Sequence, residues 1–511
     1  MATPQETENI SNIGNPVSNS HKPLSLRIMT YNCLGLKYIS QHRRARLAEI
    51  GRAIALLSPP PQIVGLQECW TQEDYASIRA SASSILPYAK FYYSGIFGGG
   101  LAILSAFPIE DSSMYRYPLN GRPTAFFRGD WFVGKGVACA TIRLPSHDEP
   151  PDGNESTNKG DTVEVFCTHL HAPYEPEPGD SYLCHRTAQA WEIAKLMRGA
   201  AQRGHLVVGL GDFNMLPLSL AHRVITARGN VVDAWRVLHP DSSLGPATFA
   251  AEQVRKVTLP SARFNLEVNG AASDNVLNTW RWEKSLQKAQ YRKGEKSPAV
   301  DMSMDTPDPH AKRLDYIFIG NGRHPDPASF AASKCEWEVA DMHVGMTQLH
   351  PTIHCSLSDH FSIHATLTRS AAATVSTRHI GSQLPSQHSP SPNGPVQTYT
   401  HILTLIQIYT ARELFQRKAR LAHFIFWLIV SLGCLVAVWF APRPFVSFIL
   451  ILMSTLGFAT GVVDGLIGGL FMSSELRALK EFEWEVSNAM AVAAAELREG
   501  EELRGRRKEG K

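Results

Sequence analysis

At six places in this chain an otherwise apolar run meets a polar side chain able to do chemistry. Asn32 ends LSLRIMTYN, Glu68 follows IVGLQ, and His169 and His171 stand in THLHA. Asp212 and Asn214 close HLVVGLGDFN, Asp315 sits in RLDYIF, and Asp359-His360 precede FSIHATL. Each has an ordinary explanation alone. Asn32 fits a turn, Glu68 a buried ion pair, and either histidine a satisfied, half-buried ring. Ligand sites in layered α/β proteins, however, lie beyond strand ends, where such residues from several strands can converge. The donor set favours oxygen, without CxxC pairs or an HExxH helix, so a hard divalent ion, Mg²⁺, fits better than structural zinc. A carboxylate such as Glu68 could hold an ion that polarises a phosphate oxygen. His360, held by Asp315, could take a proton from water.

The elements that must position these groups read from the apolar periodicity. Nine strand-like runs are LSLRIMTYN, IVGLQEC, AKFYYSG, GLAIL, GKGVACATIRL, TVEVFCTHL, HLVVGLGD, RLDYIFIG and HFSIHATLT, while RARLAEIGRAIALL and AQAWEIAKLMRGA repeat at helical spacing. A layered α/β or α+β domain over 24–369 follows. SHDEPPDGNESTNKGD, Ser146 to Asp161, reads as a surface loop, 240–310 as an insertion of unassigned structure, and 1–23 as a disordered leader without a secretory core.

Of the 511 residues, 44% are hydrophobic and 19% charged, which describes a foldable chain, and the formal net charge is only +3. No Lys/Arg stripe runs through the first 370 residues, so nucleic acid is not an expected partner. Eight cysteines are scattered singly, as in a reducing compartment.

After Thr368 the composition turns Ser/Pro-rich, and 370–410 reads as a linker and polar segment. LAHFIFWLIVSLGCLVAVWFA, 421–441, carries no formal charge and suffices to cross ~30 Å of hydrocarbon. A second span, 445–472, follows after Pro442-Arg443-Pro444, giving a transmembrane helical hairpin. Arg412, Arg417, Lys418 and Arg420 before it and Arg477 and Lys480 after it place both ends in the cytosol, as does the charged tail 473–511. Gly457, Gly461, Gly465 and Gly469 form a ridge on which Gly433, Ala437 and Ala441 could pack, within the hairpin or between chains; within it is preferred because the connection is short. Asp464 reads as an interface residue.

The strings TYNCLG, GLQECW, GDW, THLHA, GDFN, RLDYIF and SDH, in that order, resemble the neutral sphingomyelinase and inositol-phosphosphingolipid phospholipase C family of the deoxyribonuclease-I-like phosphodiesterases. HLHAPYEPEPGDSYLCHRTAQAWEIAKL and the paired spans resemble that branch specifically. The resemblance implies a four-layer β-sandwich flanked by helices and Mg²⁺-dependent hydrolysis of a phosphosphingolipid to ceramide. It implies that Glu68, with Asn32 and Asp359, serves the metal side. Asp212 and Asn214 would orient water, with His360 as general base oriented by Asp315. His169 would stabilise charge on phosphate or the departing alkoxide, with His171 ranked second. GDWFVGKG, likened in this branch to a phosphate loop, lacks GxxxxGK[ST] spacing. Its Lys135 and Asp130 are a candidate pair at the head group, the alternative for Lys135 being a surface lysine.

Competing readings are a nuclease, which would need a basic groove, and an inositol polyphosphate phosphatase. Met215 after Asn214 and Tyr316 after Asp315 depart from the phosphatase pattern. A membrane scaffold with a degenerate site is the rival of another class. The expected partners are a membrane phosphosphingolipid and, as candidate activator, an anionic phospholipid; the oligomeric state is not readable. An endoplasmic reticulum or other intracellular membrane is the expected home. DNVLNTWR, with Asn275, and the hairpin resemble the inositol-phosphosphingolipid phospholipase C members, and that resemblance leans the head group towards inositol phosphate rather than phosphocholine. A chain cut at Gln397 is expected to fold and stay soluble.

Overall fold

All nine apolar runs form strands in the computed structural model, which describes residues 24–145, 161–175, 179–291, 302–322, 335–371 and 394–509. They are β1 (Ser25–Asn32), β2 (Ile63–Gln67), β3 (Tyr88–Tyr92), β4 (Leu101–Ser105), β6 (Gly136–Arg143), β7 (Thr162–His169), β8 (Leu206–Asp212), β10 (Asp315–Gly320) and β12 (Ser362–Ala371). Three further strands, β5 (Ile109–Arg116), β9 (Val232–Asp233) and β11 (Cys335–Gly345), were not legible in the sequence. The strands make two six-stranded sheets, ordered β11-β12-β1-β2-β4-β3 and β5-β6-β7-β8-β10-β9. The three unforeseen strands all lie at sheet edges, where one flank is unpaired and the apolar signal is weakest. None of β5 is fully buried.

The two sheets face each other, and alternation along each strand divides its residues between two interiors. Leu26 and Ile28 of β1 meet Val163, Val165, Val208, Leu210 and Ile317 between the sheets. Met29 and Tyr31 face outwards against Leu47, Ile50 and Ile54 of helix α1 (Arg43–Ala55) and Ile78 of helix α2 (Gln72–Ala82). On the opposite side Phe166, Val207 and Phe318 meet Trp191, Ile193 and Met197 of helix α3 (Leu183–Gln202) and Val224 and Ile225 of helix α4 (Leu220–Gly229). Burial on both faces explains why these strands read as unbroken apolar runs. The result is the expected four layers, helix, sheet, sheet and helix. Gly65 marks how closely the sheets meet, because a Cβ there would lie 2.0 Å from Leu210.

The leader 1–23, the loop 146–160 and residues 372–393 lie outside the described residues. The insertion 240–310, where described, folds as short helices, Ala250–Arg255, Ala262–Glu267 and Lys284–Tyr291, and as loops that return to the sheet rim.

The C-terminal region differs from the expected linker, hairpin and tail. Residues 394–410 are not linker but the first turns of one 44-residue helix, Gly394–Ala437, which runs on through the first apolar stretch. After the turn at Pro442 come a helix over Pro444–Leu466, a π turn at Ile467–Phe471 and a helix over Met472–Glu509. Two of these helices are long and apolar enough to cross a membrane. Outside the apolar stretches both long helices pack on the catalytic domain. Ile402 and Ile406 from one helix, and Leu476, Leu479, Phe482 and Val486 from the other, bury against α3. Glu485 takes the Trp191 indole at 2.6 Å and Lys195 at 2.7 Å, and Glu475 takes His185 at 3.1 Å and the Tyr409 hydroxyl at 2.7 Å.

Within the hairpin the glycine ridge meets Trp427 and Phe424, not the small residues expected. Cβ atoms at Gly457 and Gly461 would run into Trp427, and one at Gly465 into Phe424, whereas Gly433 and Gly469 have nothing within 4 Å. Large side chains fill the groove that small ones open. Asp464 pairs with Arg420 and, at 2.8 Å, with His423, at the start of the first apolar stretch.

Candidate active site

Strand direction brings the polar residues to one rim. β1 and β2 run parallel with Asn32 opposite Gln67, so Asn32 and Glu68 finish side by side. β7 and β8 run parallel with His169 opposite Asp212, while antiparallel β10 starts with Asp315 opposite Asp212. β12, antiparallel to β1, begins where β1 ends and carries Asp359-His360 just ahead of it. Every one of these strands is buried on both faces, which leaves its end as the place for a charged group.

The side chains then connect. Asn32 donates its amide to Glu68 Oε1 at 3.2 Å and to Asp212 Oδ2 at 3.1 Å, bridging the two sheets. His169 Nε2 lies 3.5 Å and His360 Nε2 3.8 Å from Asp212 Oδ2. His360 Nδ1 meets Asp315 Oδ2 at 2.7 Å. Asp212 Oδ1 accepts the Asn214 amide N–H at 2.9 Å, and the Asn214 side chain donates to the Leu170 carbonyl at 3.1 Å. Glu68 and Asn214 take left-handed backbone angles, φ 54° and 46°. For Glu68 that conformation costs about 1 kcal/mol, the kind of local strain found at functional sites.

Ser273 is a site residue that the sequence did not reveal. Its hydroxyl lies 2.9 Å from His360 Nδ1 and 3.2 Å from Asp315 Oδ2, so it holds the pair from a third side. It comes from the insertion, whose weak periodicity carries no signal for it. Asn275, two residues on, is fully buried with its amide nitrogen unpartnered among the described residues.

Lys135 is not a surface lysine. It is buried and donates to the Leu170 carbonyl at 3.1 Å; burial lowers its pKa, while Asp130, Asp212 and Glu68 oppose the shift. Lys135 and Asp130, the candidate pair at the head group, interact through charge without an ion-pair contact. Asp130 instead takes the Tyr174 hydroxyl at 2.7 Å and lies 3.5 Å from His171. Burial raises the Asp130 carboxyl, but those partners outweigh it and hold it below its usual range. His171 stacks on Tyr182 at 3.8 Å, so it belongs to the wall of the site.

Electrostatics divides the groups into roles. Burial pushes Asp212 up to about 6, with the His360 charge opposing and Asp315 reinforcing the shift. Burial, then the Asp359 charge, raises Glu68. Burial disfavours a charged His360, yet Asp315 and Asp212 outweigh it and hold the imidazolium well above its usual range. His169, buried near Lys135 and His360, is held neutral.

The donor set fits a divalent cation. Glu68 Oε2 and Asp315 Oδ1 are buried and without partners among the described residues. Ligand atoms of Asp212, Asp315 and His360 lie within 4.8 Å of one another. Carboxylates of Glu68, Asp212, Asp315 and Asp359 thus gather around few cations, a balance that a hard ion restores.

The sequence matches the endonuclease/exonuclease/phosphatase family over residues 29–360. It is 36% identical to the inositol phosphosphingolipids phospholipase C of Schizosaccharomyces pombe, covering 91% of this chain and 94% of that one. The protein of that name from Saccharomyces cerevisiae is 31% identical over 93% and 92%. Human sphingomyelin phosphodiesterase 2 is 35% identical over 39% of this chain and 43% of its own. Among solved structures, sphingomyelinase C from Streptomyces griseocarneus aligns with a TM-score of 0.40 and 17% identity, over 67% of this chain and 99% of that one. The chain belongs to the endonuclease/exonuclease/phosphatase family and, within it, to the branch of the inositol phosphosphingolipid phospholipases C and neutral sphingomyelinases.

Proposed function

We propose that this chain is a Mg²⁺-dependent phospholipase C acting on phosphosphingolipids in the membrane that its hairpin enters. The observation that carries the reading is the convergence of Glu68, Asp212, Asp315 and His360 on one buried rim. Membership of the lipid phosphodiesterase branch and two helices fit to span a bilayer support it.

Each residue has a task. Glu68, with Asp359 and Asn32 beside it, would hold the ion. An ion held there would supply polarisation of the phosphate, offset of the charge that develops on it and a lower pKa for nearby acids. Asp212 and Asn214 orient the attacking water. His360, positioned by Asp315 and Ser273, takes its proton in the neutral form. The water oxygen bonds to phosphorus as the bond to the ceramide oxygen breaks, and that alkoxide takes up a proton to leave ceramide. His169, neutral and 3.5 Å from Asp212, is placed to stabilise this charge. Lys135 sets the charge of the floor.

For the head group we favour inositol phosphate. The relatives matched over more than nine-tenths of this chain carry that name, whereas the human sphingomyelin phosphodiesterase matches 39%. The unpartnered Asn275 amide supplies a donor beside Ser273. We further propose that both chain ends lie in the cytosol, in an endoplasmic reticulum or other intracellular membrane. An anionic phospholipid, met by the exposed Lys418, is the proposed activator.

The test presents purified full-length protein in mixed micelles with inositol phosphosphingolipid and with sphingomyelin, with and without Mg²⁺, and measures ceramide. Mg²⁺-dependent release is expected from at least the first. No ceramide from either lipid, or full activity in Asp212→Ala and His360→Ala, refutes the reading.

A further inference from the structure

Large apolar side chains normally leave the surface, yet four stand out together on two segments that lead into the site. Ile96 is 77% exposed, Phe97 59%, Phe126 39% and Phe127 75%. Phe126 and Phe127 lie in the 3-10 turn Pro123–Arg128, followed by a second turn at Asp130–Phe132. The loop of Ile96 and Phe97 is fixed to that second turn. The amides of Ile96 and Phe97 both donate to the Phe132 carbonyl, at 3.2 and 3.3 Å, and the Phe97 and Phe132 rings meet edge to face at 5.8 Å. The four residues therefore belong to one continuous rim.

The same two turns touch the hairpin where it emerges from its apolar stretches. Trp131 packs on Phe471, at the end of the second span, with ring centroids 5.7 Å apart. Arg420, immediately before the first span, donates to the Thr124 carbonyl at 3.4 Å. Two independent contacts thus set residues 124–132 at the level where the helices pass between water and lipid. This side of the rim also leads directly to chemistry. Lys135 follows Phe132 by three residues, and Gly100, three after Phe97, accepts the Cys69 amide beside Glu68 at 3.0 Å.

We propose that Ile96, Phe97, Phe126 and Phe127 form an apron that enters the lipid surface beside the hairpin, so that the active site opens onto the bilayer. A lipid surface is the occupant that fits: the apron continues the membrane-facing surface of the spans, and its aromatic side chains suit the interfacial zone. The apron presents the head group to the rim without the lipid leaving its leaflet. The inference rests on the reading of the two helices as spans, and the test separates the two.

The test uses full-length protein in vesicles of phosphatidylcholine containing shallow or deep doxyl-labelled lipid. Single added cysteines, Phe97→Cys and Phe127→Cys, carry an environment-sensitive fluorophore. Leu56→Cys, at an exposed position on helix α1's C-terminal side, is the water reference, and Ile429→Cys in the first span is the lipid reference. Shallow quenching at 97 and 127 at least about threefold above that at 56 is expected. Quenching equal to that at 56 overturns the proposal while leaving the spans intact if 429 is quenched. An unquenched 429 overturns the anchoring and the proposal together. Shielding of 97 and 127 that grows with protein concentration assigns the surface to a second copy and also overturns it. The double variant Phe97→Ser/Phe127→Ser should turn over lipid in vesicles about tenfold more slowly while keeping its rate on a short-chain, monomeric analogue. Equal loss on both, or on neither, contradicts the apron.

Discussion

Phe482 tests whether the C-terminal helix is part of the catalytic domain or merely hangs from it. Its ring is 6% exposed and meets Trp191 of α3 edge to face at 5.8 Å. Replacing a buried phenylalanine with alanine costs about 3 to 5 kcal/mol through lost transfer energy and the cavity left behind. Taking the lower figure because the site lies near the surface, Phe482→Ala should free the Met472–Glu509 helix from α3 by about 3 kcal/mol, a roughly hundredfold faster local opening. Amide hydrogen exchange over 472–490 reads that opening directly, with 424–436 in the first span as the unaffected reference. Vesicle activity should fall in parallel, because the same helices hold residues 124–132 at the rim. Unchanged exchange refutes the docking, and faster exchange with full vesicle activity refutes its connection to the site. Cutting at Gln397 carries the argument further: it strips Ile402, Ile406, Leu476, Leu479, Phe482 and Val486 from α3. At roughly 1.5 to 3 kcal/mol per side chain, the loss is on the order of 10 kcal/mol before the entropy of ordering the helices is counted, comparable to a whole domain's stability. The sequence alone favoured a soluble truncated domain; the structure predicts one that binds hydrophobic dye and aggregates.

Asp315→Asn removes the largest influence holding the His360 imidazolium above its usual range, so the acid limb of kcat/KM should move to lower pH while the maximum falls about a hundredfold or more. For stability, a raised folded pKa contributes fully below about 6.5 and is lost as pH rises through the folded value, so thermal melts of wild type and variant should differ most on the acid side. An unmoved limb contradicts the pairing. Glu68→Gln should raise the Mg²⁺ concentration for half-maximal activity at least about tenfold, and chelation should abolish activity reversibly, both followed by ceramide release. Lys135→Met should push Asp212 further above about 6 and reduce activity at neutral pH about tenfold, with circular dichroism checking the fold.

Much of the site was legible because it obeys one rule: a strand buried on both faces ends in a residue that cannot be buried alone. Asn32, His169, Asp212 and Asp315 could be found that way, and the structure connects all four. Ser273 could not, since it arrives on a loop of an irregular segment and its type is unremarkable there. For Lys135 the head-group role and a surface lysine stayed open, because one sequence cannot show that its strand starts beneath the rim. The edge strands escaped for want of two apolar faces. The docking helices escaped because Glu475 and Glu485 find partners, His185, Trp191 and Lys195, that lie almost three hundred residues earlier, a pairing no local pattern shows. That partnership also gives a physical meaning to the HLHAPYEPEPGDSYLCHRTAQAWEIAKL string, which carries both His169, beside Asp212 at the rim, and the α3 face that holds the C-terminal helices.

On the proposed membrane reading, the unbroken helix from Gly394 to Ala437 determines how the enzyme meets a lipid substrate. Residues 394–420 rise before the first span and, at 1.5 Å each, make a strut about 40 Å long, fixed along its flank to the catalytic domain. A strut holds one elevation, where a flexible leash would allow many. With the apolar stretches in the bilayer, as proposed, the rim is kept at a set height over the leaflet and scans lipids in two dimensions only. Phosphates close to the membrane plane come within reach, while the same phosphate lifted or crowded by a bulky head group is disfavoured, so distance from the bilayer becomes a criterion of selection alongside chemistry.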